Sequence, residues 1–420
     1  MNKVTHYCYA ASSQTSAFRL HKSLKAIKCN SQIITGSKSI GDRDLIQPKT
    51  LKDKLSAITG ILRELFYRNL FYKQCTTYFS LNLGPELFQK RWLKKIYKVK
   101  TEIIHLHWIG NGFIPLDCLT KFDKPIVWTM HDLWTITGGC HVIGTCKKFE
   151  TQCGFCPQIN SRKNHDLTTS IFNKKRKIYQ KLDLTVVVPS TWMQSVAKKS
   201  PLLENIKIKV IPNATDVSIF KPLNKDFARE TLNLPSNKKI IAFGAITGIS
   251  DNNKGFDLLT EAIKKVTSVR NDILLLIFGG DNVSDEDNVF GCEATYIGRL
   301  SDNQTLALVY CAADVVVVPS RQESFSMVSS ESIACGTPVV AFDATGPRDI
   351  IDHKENGYLA KSYDSSDFAT GILWILEDEQ RWKSLSDKAR LKAVKFFSCE
   401  VVGKQHNDLY DEILNRNERK

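Results

Sequence analysis

Apolar and polar positions along this 420-residue chain follow two regimes. Short apolar runs of strand length alternate with stretches whose apolar residues recur every three or four positions. That is the pattern of a parallel sheet covered by helices. In the first half the strand candidates are VTHYCYA (Val4 to Ala10), SQIITG (Ser31 to Gly36), EIIHLHW (Glu102 to Trp108), PIVWTMH (Pro125 to His131), LTVVVPS (Leu184 to Ser190) and IKVIPN (Ile208 to Asn213). In the second half they are KIIAFGA (Lys239 to Ala245), DILLLIFGG (Asp272 to Gly280), ATYIGR (Ala294 to Arg299), DVVVVPS (Asp314 to Ser320), TPVVAF (Thr337 to Phe342) and NGYLA (Asn356 to Ala360). A polar connector, NATDVSIFKPLNKD (Asn213 to Asp226), separates the two series. The expected architecture is α/β with two Rossmann-like domains, residues 1–214 and 215–395, and a terminal helix over 396–420 packing back on the first. Open parallel sheets bind ligands at the carboxyl ends of their strands, so two facing sheets would hold a substrate in the cleft between them.

Composition narrows the class. Hydrophobic residues make up 42% and charged residues 24%, as in a soluble globular protein. No apolar run approaches the roughly 18 residues of a membrane-spanning helix, and the N-terminus, MNKVTHYCYAASS, lacks the apolar core of a secretory signal. A cytosolic location is expected. In that reducing compartment the 12 cysteines are thiols or metal ligands rather than disulfides.

The net charge of +14 is concentrated at one end: residues 1–100 hold 19 Lys+Arg against 5 Asp+Glu, and the remainder is balanced. There, Lys54 to Gln74 and Glu86 to Lys100 interleave basic residues with Phe, Tyr, Trp and Leu. Spacing such as Leu62, Leu65, Phe66, Leu70 is helical. Such basic amphipathic helices fit a solvated face, a dock on an anionic membrane or lipid-linked substrate, or nucleic acid. Nucleic acid ranks last, since no nucleic-acid-binding motif accompanies the charge.

The richest segment is DVVVVPSRQESFSMVSSESIACGTPVVAFDATGPRDIIDHKENGYLA, Asp314 to Ala360. A buried strand ends at Pro319-Ser320, a loop carries Glu323, and a helix starts near Ser326, with Ser324 and Ser326 as candidate caps. A helix N-terminus at the end of a sheet strand attracts anions through its N–H groups and dipole. Glu323 and Glu331 flank that start and could grip hydroxyls on either side of a phosphate-centred ligand such as a sugar nucleotide. Read singly, each is as readily a solvated surface carboxylate.

The whole segment resembles the signature of retaining glycosyltransferases of family 4, which have the GT-B fold. The match runs through Asp314, Pro319, Ser320, Glu323, Ser324, Phe325, Glu331, Ala334, Gly336, Thr337, Pro338, Val339, Val340, Gly346 and Gly357. IIAFGAITGISDNNKGFDLLTEAI is similar to the family's first donor-domain strand, loop and Lys-Gly helix start, giving Lys254 and Gly255. IGRLSDNQTLALVYCAAD, VIPNATDVSIFKP and VVVPSTWMQSVA fall in the family's order, so the likeness covers roughly residues 100 to 395. It implies that Glu331 binds the nucleotide ribose and Glu323 the donor sugar, while Ser324, Phe325, Ser326 and Met327 contact sugar or diphosphate. Lys254 fits independently: a departing diphosphate needs a fixed cation beside that helix start. His131 ends an N-domain strand where the family carries a histidine facing the donor sugar, and His107 is a weaker candidate one strand earlier.

Departures are visible. The glycine-rich first loop is replaced by ASSQTSAFRLHKSL (Ala11 to Leu24), with Ser12, Ser13, Thr15 and Ser16. Ala245 and Ile246 stand where the family has an arginine, which leaves Arg299 or Arg321 to assist Lys254. The resemblance implies a nucleotide-sugar donor, a glycan or lipid-linked acceptor in bacterial surface polysaccharide synthesis, and no catalytic cofactor. A basic, zinc-stapled nucleic-acid-binding protein and a non-catalytic phosphate-ligand binder remain as alternatives.

Cys140, Cys146, Cys153 and Cys156 follow C-x(5)-C-x(6)-C-x(2)-C and end in CGFCP. A Cys-x-x-Cys with an internal glycine points two sulfurs at one tetrahedral ion, which makes structural zinc the leading reading. Reduced thiols, a regulatory disulfide and an iron–sulfur cluster are the others. Four thiolates leave no open position for catalysis, so the expectation is a zinc-pinned loop beside the site. Some bacterial family members share TGGCH…C…CG.CP after the histidine strand. The other eight cysteines show no ligand spacing.

Overall fold

Every apolar run of the sequence becomes a parallel strand in the computed structural model, which describes residues 2–36, 45–71, 79–83, 89–244, 251–280 and 290–418. The chain divides into two units, Met1–Ile211 with Gly403–Lys420, and Pro212–Val402.

The first unit holds β1 (Asn2–Cys8), α1 (Ser16–Ala26), β2 (Ser31–Thr35), β3 (Leu45–Ile46), α2 (Leu51–Phe71), α3 (Lys90–Tyr97), β4 (Thr101–Leu106), β5 (Ile126–Thr129), α4 (Leu167–Tyr179), β6 (Leu184–Val188), α5 (Thr191–Ala197) and β7 (Lys207–Val210). Its sheet runs β3-β2-β1-β4-β5-β6-β7, all parallel. The two-residue β3 has no apolar run long enough to read from sequence. Helix α4 starts where Asp166 accepts from the Thr168 and Thr169 N–H groups, a reciprocal capping box.

The second unit holds α6 (Lys225–Thr231), β8 (Lys239–Gly244), α7 (Phe256–Thr267), β9 (Ile273–Phe278), β10 (Glu293–Gly298), α8 (Asn303–Ala312), β11 (Val315–Val318), α9 (Met327–Ala334), β12 (Val339–Phe342), β13 (Gly357–Ala360), α10 (Ser365–Leu376) and α11 (Glu379–Lys392). Its sheet order is β10-β9-β8-β11-β12-β13, again parallel. Strands β9, β11 and β12 are buried at every position, as continuous apolar runs between two helical layers must be. Helix α12 (Cys399–Glu418) follows, and from Gly403 it belongs to the first unit, where the Tyr410 hydroxyl meets His105 Nδ1 at 2.7 Å.

In both sheets the strand order reverses beside the unit's first strand, between β1 and β4 and between β8 and β11. Those are the switch points at which open α/β sheets bind ligands. Ala245 and Ile246, Cys75 and parts of the two basic segments lie outside the described residues.

Candidate functional site

The second unit's switch point assembles the signature residues. After β8 the chain returns through Asp251, whose carboxylate accepts from the Asn253 N–H, and Lys254 leads into α7 through Gly255. Gly255 has φ +67°, and a Cβ there would lie 2.1 Å from the Pro319 carbonyl oxygen. Only glycine lets α7 start this close to the loop after β11. Gly346 plays the same part from the other side, since its Cβ would fall 2.6 Å from the Phe325 nitrogen. Held between these approaches, the Glu323 N–H donates to Thr345 Oγ1 at 3.1 Å and the Glu323 carbonyl accepts from the Gly346 N–H at 2.9 Å.

Lys254 Nζ then meets Glu323 Oε1 at 2.7 Å, with side-chain exposures of 27% and 19%. Glu323 holds the Lys254 ammonium above its ordinary value against the opposing effect of burial. Ser326 caps α9, its hydroxyl accepting from the Ser329 N–H at 3.2 Å, and it adopts φ +84° to do so. That left-handed conformation is strained for a residue with a Cβ. Glu331 lies inside α9, is buried, and accepts from the Tyr310 hydroxyl of α8 at 2.9 Å. It is therefore no solvated helix residue. Arg299 is exposed at the end of edge strand β10, two strands from β8, and Arg321 forms a bidentate pair with Asp257 at 2.8 and 2.6 Å. The structure thus brings Lys254, Glu323 and residues 324–327 together. Glu331 sits with Tyr310, and Arg299 stands apart. In the first unit, the serine-rich loop after β1 closes on itself, with Thr15 Oγ1 donating to the Ser12 carbonyl at 2.9 Å.

His131 follows β5 and is half-buried. Its Nε2 lies 2.9 Å from His107 Nδ1, and His107 Nε2 lies 2.9 Å from His6 Nδ1, so three imidazoles form one file. Burial lowers His131 to about 4 and takes His6, His105 and His107 well below the ordinary value. All four rings are therefore neutral at pH 7. The neighbouring Asp132 accepts from the Trp134 N–H at 2.7 Å and pairs with His141 Nδ1 at 2.8 Å. Burial pushes the Asp132 carboxyl up, but these partners outweigh it and hold it below its ordinary value.

His141 belongs to the cysteine loop, so that loop is tied directly to the residue beside His131. Cys140, Cys146, Cys153 and Cys156 are free thiols lining one pocket with Ile143 and Phe149. The turn between the last two runs through positive φ at Cys153 (59°), Gly154 (113°) and Phe155 (47°). Cys153 Sγ accepts from the Gly138 N–H at 3.3 Å. A hydrogen bond between Cys140 and Cys156 raises the first thiol and lowers the second toward thiolate. The buried Lys175 donates to the Thr137 carbonyl at 2.9 Å and sits 3.5 Å from the centroid of the Trp134 ring. The donor set suits zinc, and burial brings the Lys175 ammonium down to about 7. The sulfur spacing is looser than a closed site, in which Zn–S bonds near 2.3 Å set sulfurs about 3.8 Å apart. Among the described residues, the set whose ligand atoms all lie within 4.8 Å of one another is His6, His105 and His107, not the cysteines.

Sequence reading did not supply Tyr310, Thr345, Lys175 or the His6–His107–His131 file. Only the i, i+2 spacing of His105 and His107, which puts both on one sheet face, hinted at the last.

These two parallel α/β units, each with candidate site residues at its switch point, define a GT-B architecture. The model for "Glycosyl transferases group 1" matches residues 224–392, and that for "Glycosyltransferase Family 4" matches residues 65–219. The two matches fall one on each unit, and what they support is a glycosyltransferase of this type. Among relatives, D-inositol 3-phosphate glycosyltransferase of Mycolicibacterium smegmatis is 34% identical over 290 residues, spanning 66% of this chain and 60% of the relative. The Corynebacterium jeikeium protein of the same name is 25% identical over 334 residues, 75% and 73% of the two chains. The match to the Segniliparus rotundus protein, also so named, spans under half of its length, 44%. Two solved structures share the fold: sucrose-phosphate synthase from Thermosynechococcus elongatus, with TM-score 0.67, 19% identity and 99% and 100% coverage, and Anabaena HepE in complex with UDP and glucose, with TM-score 0.64, 15% identity and 98% and 100% coverage.

Proposed function

We propose that the chain transfers a sugar, with retention of configuration, from a nucleotide diphosphate sugar to a glycan acceptor. The observation that carries this is the Lys254–Glu323 pair beside the capped start of α9, at the second unit's switch point. When the anomeric C–O bond breaks, the diphosphate gains charge, and Lys254 with the α9 dipole neutralises it. Glu323 orients Lys254 and accepts from sugar hydroxyls. Glu331, aligned by Tyr310, accepts from the ribose, while Ser324, Phe325, Ser326 and Met327 shape the sugar subsite. In the first unit, His131 is the side chain that would meet a substrate hydroxyl. The UDP and glucose in the HepE complex support a donor of this class. The decisive measurement is transfer by Glu323→Ala. Near wild-type turnover would overturn the donor-site assignment, and ligand binding without any wild-type transfer would leave a phosphate-ligand binder instead.

Two finer readings accompany it. The acceptor is lipid-linked and the protein works at an anionic membrane surface, as in bacterial surface polysaccharide synthesis. Helix α2 supports this. Leu51, Leu55, Ile58, Leu62, Leu65, Phe66 and Leu70 are 40–73% exposed and recur at three- and four-residue spacing, with exposed Lys52, Lys54 and Arg68 beside them. Its two acids face inward: Asp53 pairs with Lys95 at 2.5 Å and Arg91 at 3.1 Å, and Glu64 accepts from the Leu81 and Asn82 N–H groups. An outer face rich in apolar and basic residues and without acids is that of an interfacial helix. No helix among the described residues is long and apolar enough to cross a membrane. The relatives are named for D-inositol 3-phosphate, so transfer to a free inositol phosphate, and not to a lipid-linked glycan, would count against this acceptor. The second finer reading is structural: Cys140, Cys146, Cys153 and Cys156 hold zinc, which when bound cross-links the loop that His141 ties to Asp132. Catalysis itself requires no cofactor.

A further inference from the structure

The three-histidine file constrains its own protons. Each N···N contact needs one N–H and one lone pair, and a neutral imidazole supplies one of each. With His6 Nδ1 to His107 Nε2 and His107 Nδ1 to His131 Nε2 both at 2.9 Å, the two bonds must point the same way. Only two arrangements exist. In the inward one, His131 donates through Nε2, His107 donates to His6, and an N–H remains on His6 Nε2. In the outward one, His6 donates through Nδ1, His107 donates to His131, and the N–H remains on His131 Nδ1.

Two observations select the outward arrangement. His6 is fully buried and its Nε2 has no hydrogen-bond partner among the described residues. An orphaned buried N–H is rarer in proteins than an under-satisfied acceptor, so the lone pair belongs there. At the other end, His131 is only half-buried, so an N–H left on that ring need not be orphaned. A metal ion shared by His6, His105 and His107 fits less well. His105 already bonds Tyr410 and Thr129 at 2.7 Å, and His107 uses both nitrogens in the file.

We propose that His6 and His107 are positioning residues that fix His131 as an Nδ1–H donor, aimed at a hydroxyl or phosphate oxygen of the substrate at the carboxyl edge of the first unit's sheet. The substrate contact rests on the glycosyltransferase reading above, whereas the tautomer does not.

Nitrogen NMR of the imidazoles in the full chain at pH 7 tests the tautomer without any transfer assay. The expected result is protonated Nδ1 and bare Nε2 on all three rings. The opposite pattern, a cationic ring, or zinc uptake that moves the His6, His105 and His107 signals together would overturn the proposal. Two variants then test the role. In His6→Asn the side-chain amide can still donate from the Nδ1 position, so transfer kinetics stay within about twofold of wild type. In His6→Phe the donor is lost and the file can reverse. KM for the substrate that His131 contacts then rises roughly five- to tenfold, as for one lost hydrogen bond, with a smaller change in kcat. Equal kinetics in the two variants, with both folded, would sink the positioning role even if the tautomer is as stated.

Discussion

Replacing Leu62, Phe66 and Leu70 of α2 together by serine should detach the protein from anionic membranes while leaving its fold intact. The three side chains are 57%, 62% and 60% exposed and follow one another at four-residue spacing, so they share one face. Fully burying a leucine or phenylalanine side chain stabilises by about 1.5–3 kcal/mol, so sinking the exposed fraction contributes roughly 1–2 kcal/mol each. An interfacial helix inserts only partway, so the triple variant should lose on the order of 3 kcal/mol, about a hundredfold in partitioning. Because the substituted faces point away from the buried Asp53 and Glu64, thermal stability should change little. The assay is co-sedimentation with phosphatidylglycerol-containing vesicles against neutral phosphatidylcholine vesicles, at low and high salt. Wild type should bind the anionic vesicles and weaken with salt, because Lys52, Lys54 and Arg68 act through a screened field. Binding unchanged by the triple substitution would refute the reasoning. So would wild type that ignores vesicles and instead self-associates through this face.

Other outcomes follow from the sites. Lys254→Met should lower kcat at least a hundredfold, the scale of removing one preorganised electrostatic donor, while retaining the folded state; steady-state transfer kinetics read it directly. Tyr310→Phe leaves Glu331 without its buried hydroxyl partner and should raise donor KM several-fold with a modest fall in melting temperature, measurable in the same assay and by calorimetry. Burial keeps His6, His105 and His107 neutral when folded, whereas in the unfolded chain they take up protons near 6.5. Their contribution is thus present above that pH and lost as pH falls below it, at up to about 1.4 kcal/mol per pH unit for each ring. Urea midpoints at pH 7 and pH 5 should differ accordingly, and a flat profile would refute neutral burial. Purified protein should carry about one zinc for its four-cysteine set, and strong chelation should lower the melting temperature. Substoichiometric zinc with four titratable thiols would exclude the zinc loop.

What the sequence could show depended on whether the signal is local. Strands such as ILLLIF and VVVV announce themselves because both faces are buried, and a contiguous run records that without reference to any partner. Lys254 and Glu323 were legible because each sits beside a local punctuation mark, Gly255 and the capped start of α9. Tyr310 was not, since it reaches Glu331 only because α8 packs beside α9, 21 residues away in sequence. The spacing of His105 and His107 shows a shared face, but His6 joins them only when β1 pairs with β4 in the register His6 to His105. Sheet order, a tertiary choice, therefore made a file out of residues that are individually bland. Helix α2 shows the deepest limit. Periodicity establishes that one face is apolar, and the default inference turns that face inward. Here Asp53 and Glu64 occupy the inner face because Lys95, Arg91 and two backbone N–H groups satisfy their charge there. A carboxylate paired and hydrogen-bonded in this way can be buried, and seven large apolar side chains are turned outward as the consequence. The pattern of the helix was in the sequence; its orientation was decided by partners up to 42 residues away.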